Sequence, residues 1–293
     1  MFLLNTSGMD VTSVCFSPDA TSLYLGMKSG EVQRWCMGEK TGYSLFTNPV
    51  TALACHPEGK YLVAGAMNSS FHTWTFHEPN SHWRIWTRPN ANPSSNPWLG
   101  FVTLSTALVG LMHHSEGHVN QNAFEFVPLG NTTSKYELNF TNFIVSGSTN
   151  WRNQSVLWSD GSNKIHFRNL QHQETKNHQF QSQVRAVDIH PHEPRVASTM
   201  GWEIAINSLS NFSLPTIDCR HSGAVSCLKY HPGGEFLMSG SWDGTIRLWD
   251  DLQFRELRKY HFRIGKIRML AISNDGSQAC AVGQENICLF DLE

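Results

Sequence analysis

Residues 223–250 read GAVSCLKYHPGGEFLMSGSWDGTIRLWD, and this stretch decides the fold. Val225 to Tyr230 alternates apolar and polar residues, the period-two pattern of a strand with one buried face. His231-Pro232-Gly233-Gly234 then breaks the chain, since proline fixes its own φ and glycine accepts positive φ. A second strand is predicted from Phe236 to Ser241 and a third from Thr245 to Trp249. Between them, Asp243-Gly244 supplies the tight turn that a hairpin requires. Three short strands and two turns make one unit, and the unit recurs.

Copies begin at Val11 (VTSVCFSPDATSLYLGMKSGEVQRWC), Val50 (VTALACHPEGKYLVAGAMNSSFHTWTF), Val184 (VRAVDIHPHEPRVASTMGWEIAINSL) and Ile267 (IRMLAISNDGSQACAVGQENICLFDL). Their third strands end at Trp35, Trp74, Asn207, Trp249 and Phe290, and two weaker copies end near Phe126 and His166. The spacings between these ends are 39, 52, 40, 41, 42 and 41 residues. The long spacing contains RPNANPSSNP at 88–97, which reads as an inserted loop. The third and fourth copies are degenerate.

This period and these turns resemble the WD-repeat β-propeller family, whose repeat of about 40–45 residues forms a four-stranded blade. The resemblance implies a hydrogen-bonded chain of four side chains within a blade, matched here by His221, Ser239, Asp243 and Trp249. Elsewhere the set decays: the Asp position reads Ser29, Asn68 and Gln284 in the first, second and last copies. Seven copies imply an all-β, seven-bladed propeller of four-stranded antiparallel blades. The last copy has only three strands, and the apolar Phe2-Leu3-Leu4-Asn5 has no hairpin partner. It is predicted to supply the missing fourth strand, closing the ring, removing an open edge and making residues 1–293 one domain.

Composition narrows the function. For 293 residues and 33.1 kDa, roughly 74% of the unfolded chain's surface becomes buried, enough for a core without disulfides or metals. Hydrophobic residues are 40% and charged residues 16%, too apolar a balance for a disordered chain. No apolar run approaches the roughly 18 residues of a membrane span, so no membrane role is expected. The start, MFLLNTSGMD, lacks the pattern of a signal peptide. The net charge of −2 argues against a generic nucleic-acid binder. Seven cysteines (15, 36, 55, 219, 227, 280 and 288) without CxxC spacing read as reduced thiols of a cytoplasmic or nuclear protein.

Chemistry-bearing residue types each have a plainer reading. His113, His114 and His118 lack zinc-site spacing and read as turn histidines. His56, His190 and His231 precede proline in the same turn of three copies, which points to turn geometry. His221, Ser239 and Asp243 are the residue types of a hydrolytic triad, yet the chain has no nucleophile elbow and no phosphate-binding loop. No catalytic, cofactor-binding or metal-ligating residue is expected, and no cofactor.

A binding surface remains. In the propeller arrangement, loops from fourth to first strands and from second to third strands share one face. That rule places Met9, Lys28, Asn48, Asn68, Trp202, Trp242, Arg263 and Lys266 there, and Trp and Arg are common interface anchors. From Arg247 to Arg268 seven basic residues face three acidic ones, an excess of +4 in a chain of net −2. This segment could receive an acidic peptide or a nucleic-acid backbone. The resemblance thus implies a non-catalytic scaffold or adaptor among other proteins of a multisubunit complex. Its rivals are a cullin-type ubiquitin-ligase receptor, weakened because Asp251-Leu252 follows Trp249-Asp250 where such receptors carry an arginine, and a nuclear subunit touching nucleic acid or histone.

Overall fold

A computed structural model of the chain describes residues 2–4, 10–36, 39–44, 46–56, 58–59, 61–67, 70–75, 78–87, 98–103, 106–111, 122–128, 137–140, 144–210, 212, 216–250, 252–253 and 255–292. For 43–44, 70–75, 78–87, 98–103, 106–111, 122–128, 137–140 and 216–219 the description covers the backbone alone. The 88–97 insertion, Met9, Asn68, His113, His114 and His118 lie outside the described residues.

The described strands form four-stranded antiparallel sheets in which, Phe2–Leu4 apart, each strand pairs with its neighbour along the chain, and they group into two compact units. The unit spanning Asp10–Ile144 holds three sheets. Sheet 1 runs through Val11–Phe16, Ser22–Met27, Glu31–Cys36 and Glu39–Ser44. Sheet 2 runs through Val50–Cys55, Tyr61–Ala66, Ser70–Thr75 and Glu78–Thr87. Sheet 3 runs through Trp98–Thr103, Thr106–Leu111, Asn122–Pro128 and Glu137–Phe140.

The unit formed by Met1–Met9 with Val145–Glu293 holds the rest. Sheet 4 is Ile144–Asn150, Ser155–Asp160, Lys164–Asn169 and Thr175–Gln179; sheet 5 is Val187–Ile189, Arg195–Met200, Glu203–Ser208 and Thr216–Arg220. Sheet 6 is Val225–Tyr230, Leu237–Ser241, Ile246–Asp250 and Arg255–Tyr260. Sheet 7 combines Met269–Ile272, Gln278–Val282 and Ile287–Asp291 with Phe2–Leu4, whose register sets Phe2 opposite Leu289 and Leu4 opposite Ile287.

Short strands with one apolar face cannot bury that face within a single sheet, and the core accordingly lies between sheets. Met238, Ile246 and Leu248 of sheet 6 pack against Ile267, Ala279, Ala281 and Phe290 of the sheet 7 repeat. Ala197, Ile204 and Ile206 of sheet 5 pack against Val225, Leu228 and Trp249 of sheet 6. Close approach explains Gly240: a Cβ there would stand 2.5 Å from Ile267 Cγ2.

Polar side chains also cross from sheet to sheet. Asp188, buried on the first strand of sheet 5, accepts from Ser148 Oγ of sheet 4 at 2.5 Å and from the Tyr230 amide of sheet 6 at 2.7 Å. The turn histidines explain themselves in the same way. His190 Nδ1 accepts the Glu193 amide at 2.8 Å, while its Nε2 faces Gly234 O in the next sheet's turn at 3.3 Å. His231 repeats the pattern with the Gly233 amide and Gly276 O. With Nδ1 accepting, the neutral ring carries its proton on Nε2 and donates to the glycine carbonyl.

Two registers differ from expectation. Trp249 pairs with Leu237, four residues before the end of its second strand; Trp35 with Leu23 and Trp74 with Leu62 share that position. In sheets 3 and 4 it belongs to Val127, opposite Ala107, and Arg168, opposite Val156. Phe126 and His166 therefore sit one and two residues short of it. The third copy has no Asp-Gly turn to fix the count; in the fourth, Asp160-Gly161 begins at the strand's last residue, whereas Asp243 lies two residues beyond Ser241, so counting six from the aspartate stops two residues short. In sheet 6 itself, the predicted second and third strands begin one residue early.

Candidate functional site

In sheet 6 the turn from Trp242 to Thr245 is held from three sides. The Trp242 amide donates to Ala224 O at 2.9 Å, the Gly244 amide to Ser241 O at 3.1 Å and the Ile267 amide to Ser241 O at 3.1 Å. Gly244 has φ of +80°, a backbone conformation that suits glycine. Asp243 then closes the turn: its Oδ1 accepts the Thr245 amide at 2.8 Å and hydroxyl at 2.6 Å. Its Oδ2 accepts the Ser222 amide at 3.1 Å and faces His221 Nδ1 at 3.0 Å.

From His221 the chain of bonds runs inward. Its Nε2 lies 2.7 Å from Ser239 Oγ, and that oxygen accepts the Trp249 Nε1 proton at 2.8 Å. A neutral His221 protonated on Nδ1 places every proton: indole N–H to serine, serine O–H to Nε2, Nδ1–H to carboxylate. Burial holds the imidazole below its ordinary range, against the opposing pull of Asp243. Burial alone pushes the Asp243 carboxyl up, but bonds from Thr245 and His221 outweigh it and hold the carboxyl well below the usual range. The contact is thus between a carboxylate and a neutral ring, a charge-assisted hydrogen bond.

Ser239, His221 and Asp243 are in triad order, but Ser239 is 0% exposed and its oxygen is occupied by the Trp249 indole. A nucleophile needs an open approach for substrate. Here the series clamps loop, strand and turn together.

The surface candidates among the described residues lie in loops and turns. Lys28 is exposed in the second-to-third turn of sheet 1, and Asn48 precedes sheet 2. Trp202, 59% exposed, occupies that turn in sheet 5, and Trp242, 41% exposed, occupies it in sheet 6. Arg263, at φ of 56°, and Lys266 are exposed in the loop between Tyr260 and Met269. Lys266 Nζ stands 5.5 Å from the centre of the Trp242 ring. A cation absent from the sequence expectations joins it: Arg185, from the loop entering sheet 5, has its Cζ 4.5 Å from the same ring. Its signal was positional, since it directly follows the buried Val184 that starts the copy.

The basic segment 247–268 divides. Arg247 pairs with Glu256 at 2.8 Å and approaches Asp243 at 3.6 Å, and Arg255 faces Asp250 at 3.6 Å. Arg255 to Tyr260 is the outer strand of sheet 6, and Arg258 stacks over Tyr260. Among the described residues, no three His, Cys, Asp or Glu side chains gather as a metal site. The cysteines described there are free, and burial pushes the Cys227 thiol up to about 12 and Cys288 up to about 11, far from thiolate chemistry.

Comparison with known proteins agrees with this architecture. The WD40 family (WD domain, G-beta repeat) matches residues 34–75 and 213–250. Each matched stretch takes in the outer strand of one sheet and the first three strands of the next. WD repeat-containing protein 1 of Gallus gallus is 33% identical over 88 residues, which are 29% of this chain and 14% of that protein. Actin-interacting protein 1 of Drosophila melanogaster is 33% identical, and WD repeat-containing protein 1 of Xenopus tropicalis 31% identical, over the same extents. The aligned part of the chain thus spans only 14% of the length of these relatives. Four-stranded antiparallel blades and two matched repeats support a WD-repeat β-propeller architecture for this chain.

Proposed function

We propose that residues 1–293 form one seven-bladed ring, closed by the N-terminal strand, which serves as a non-catalytic scaffold in a multiprotein complex of the cytoplasm or nucleus. One observation carries the functional reading. The arrangement richest in chemistry, Ser239-His221-Asp243, is buried and spent on holding a turn, while Trp202, Trp242, Arg185, Arg263 and Lys266 project from loops. A rigid platform carrying exposed aromatic and cationic side chains is suited to binding other proteins.

Affinity purification of the tagged chain followed by mass spectrometry tests this reading. Stoichiometric protein partners are expected. Actin is the first named candidate to look for, because one similar protein carries the name actin-interacting protein. Recovery of the chain alone, or of nucleic acid with a steep salt dependence, overturns the scaffold. The nucleic-acid alternative loses two of its cations to Glu256 and Asp250. Closure is tested separately: deleting residues 1–7 removes the strand paired with Ile287–Asp291 and the buried Leu4, and the melting temperature should fall markedly. Unchanged melting and solubility would sink it.

A further inference from the structure

The first-strand position after the buried apolar residue has a repeated duty. In sheet 1 it is Thr12, whose hydroxyl donates to Gly26 O of its own sheet at 2.9 Å and also reaches Val50 O of sheet 2. In sheet 6 it is Ser226, which reaches Gly240 O at 3.1 Å and Ile267 O, at the start of the sheet 7 repeat, at 2.7 Å. Entering sheet 5, the position is Arg185. Its amide, not its side chain, is tied down, donating to Thr199 Oγ1 at 2.7 Å. The guanidinium is left to cross to the Trp242 ring of sheet 6, which Lys266 reaches from the other neighbouring loop.

Among the described residues, Arg220, Arg247 and Arg255 have carboxylate partners, whereas Arg185, Arg263 and Lys266 have none within ion-pair distance. The acids nearby are Asp243, turned inward on His221, and Glu285 beside Gly265, and neither is within ion-pair distance of the three cations. An exposed indole with two unpaired cations over it therefore sits where loops of three successive sheets meet.

We propose that Trp242, Arg185 and Lys266 form a receptor for an acidic linear peptide of a partner protein, resting on the scaffold reading above. An apolar peptide side chain covers the exposed part of the indole, and flanking Asp or Glu carboxylates pair with the guanidinium and the ammonium. A stacked nucleobase fits less well, because it would have to displace a guanidinium 4.5 Å from the ring, and the whole chain carries a net charge of −2.

Selection of a phage-displayed random dodecapeptide library on the full chain tests the proposal, followed by anisotropy titration of the recovered peptides. Recovered sequences should carry two or more Asp or Glu beside an apolar residue and should bind more weakly as NaCl rises. Trp242→Ala, Arg185→Glu and Lys266→Glu should each weaken them by about tenfold or more, while Lys259→Glu on the outer strand should not. Melting temperatures should stay near wild type for Lys266→Glu, so a loss of binding there is not a loss of fold. The proposal falls if no peptide is recovered, if recovered peptides lack acidic residues, if the three variants bind them like wild type, or if a single-stranded dodecanucleotide competes better. Protein partners retained by all three variants would remove this receptor and leave the scaffold standing.

Discussion

Sheets 4 and 6 solve the same problem with the same residue type and different reach. Each has an aspartate capping the amides of its second-to-third turn. In sheet 6, Asp243 follows the strand, and its histidine comes 22 positions earlier, from the preceding loop. In sheet 4, Asp160 ends the strand, capping the Ser162 amide at 2.9 Å and the Lys164 amide at 3.2 Å. Its histidine is His166 of the very next strand, 2.9 Å away and stacked on Trp158 at 4.9 Å. The long-range version ties a neighbouring loop into the blade and buries its ring completely. The local version braces one hairpin. Reach determines what each network holds in place.

The largest test of this contrast is truncation at the shared register position. Trp249→Ala should cost about 3–5 kcal/mol, since it empties a buried indole site and leaves Ser239 short of a donor. Arg168→Ala, at the matching position of sheet 4, should cost less than about 1 kcal/mol. Denaturant melts of the two proteins check this, and equal losses would break the contrast.

Next come the aspartates. Asp243→Ala strands the Ser222 and Thr245 amides and the His221 Nδ1 proton, and should cost about 2–3 kcal/mol. Asp160→Ala, whose histidine is partly exposed and able to meet water, should cost about 1 kcal/mol. A double-mutant cycle with His221→Ala should show strong coupling to Asp243 and none to Asp160.

The smallest effect is in pH. His221 is neutral when folded and resists protonation, so the unfolded chain takes up its proton first as pH falls through the ordinary histidine range. Stability from that source is complete above this range and is lost on acidification. Asp243 adds a loss of the same sign below the ordinary carboxylate range, because its folded carboxyl stays ionised to lower pH than its unfolded one. Melting temperatures between pH 7 and pH 5 should therefore drop less for His221→Gln than for wild type. A steeper drop in the variant would reverse the assignment.

The same contrast explains what could be read from residue order alone. Sheet 6 was legible nearly to the residue because its turn carries Asp243-Gly244 and its histidine stands at the distance the family uses. Sheet 4 offered Asp160 and His166 only six residues apart, a spacing that any loop could show, and its register was misplaced by two. Thr12 and Ser226 were invisible as clamps, since a hydroxyl in a strand says nothing of which carbonyl the next sheet presents. Arg185 was missed for the reverse reason: it is conspicuous only once hydroxyls are seen at the equivalent positions.

The pairing of Phe2 with Leu289 bears on how the chain is made. All of residues 5–286 separate the first strand from its partner, so sheet 7 is the last to be completed during synthesis. Residues 10–144, a unit of their own, leave the ribosome between the two pieces of the other unit. Joining partners so distant along the chain slows folding, because closure entropy is spent before the contacts repay it. Throughout that wait the Phe2–Leu4 strand has an unpaired edge, and Leu4, buried in the finished sheet, stands in water.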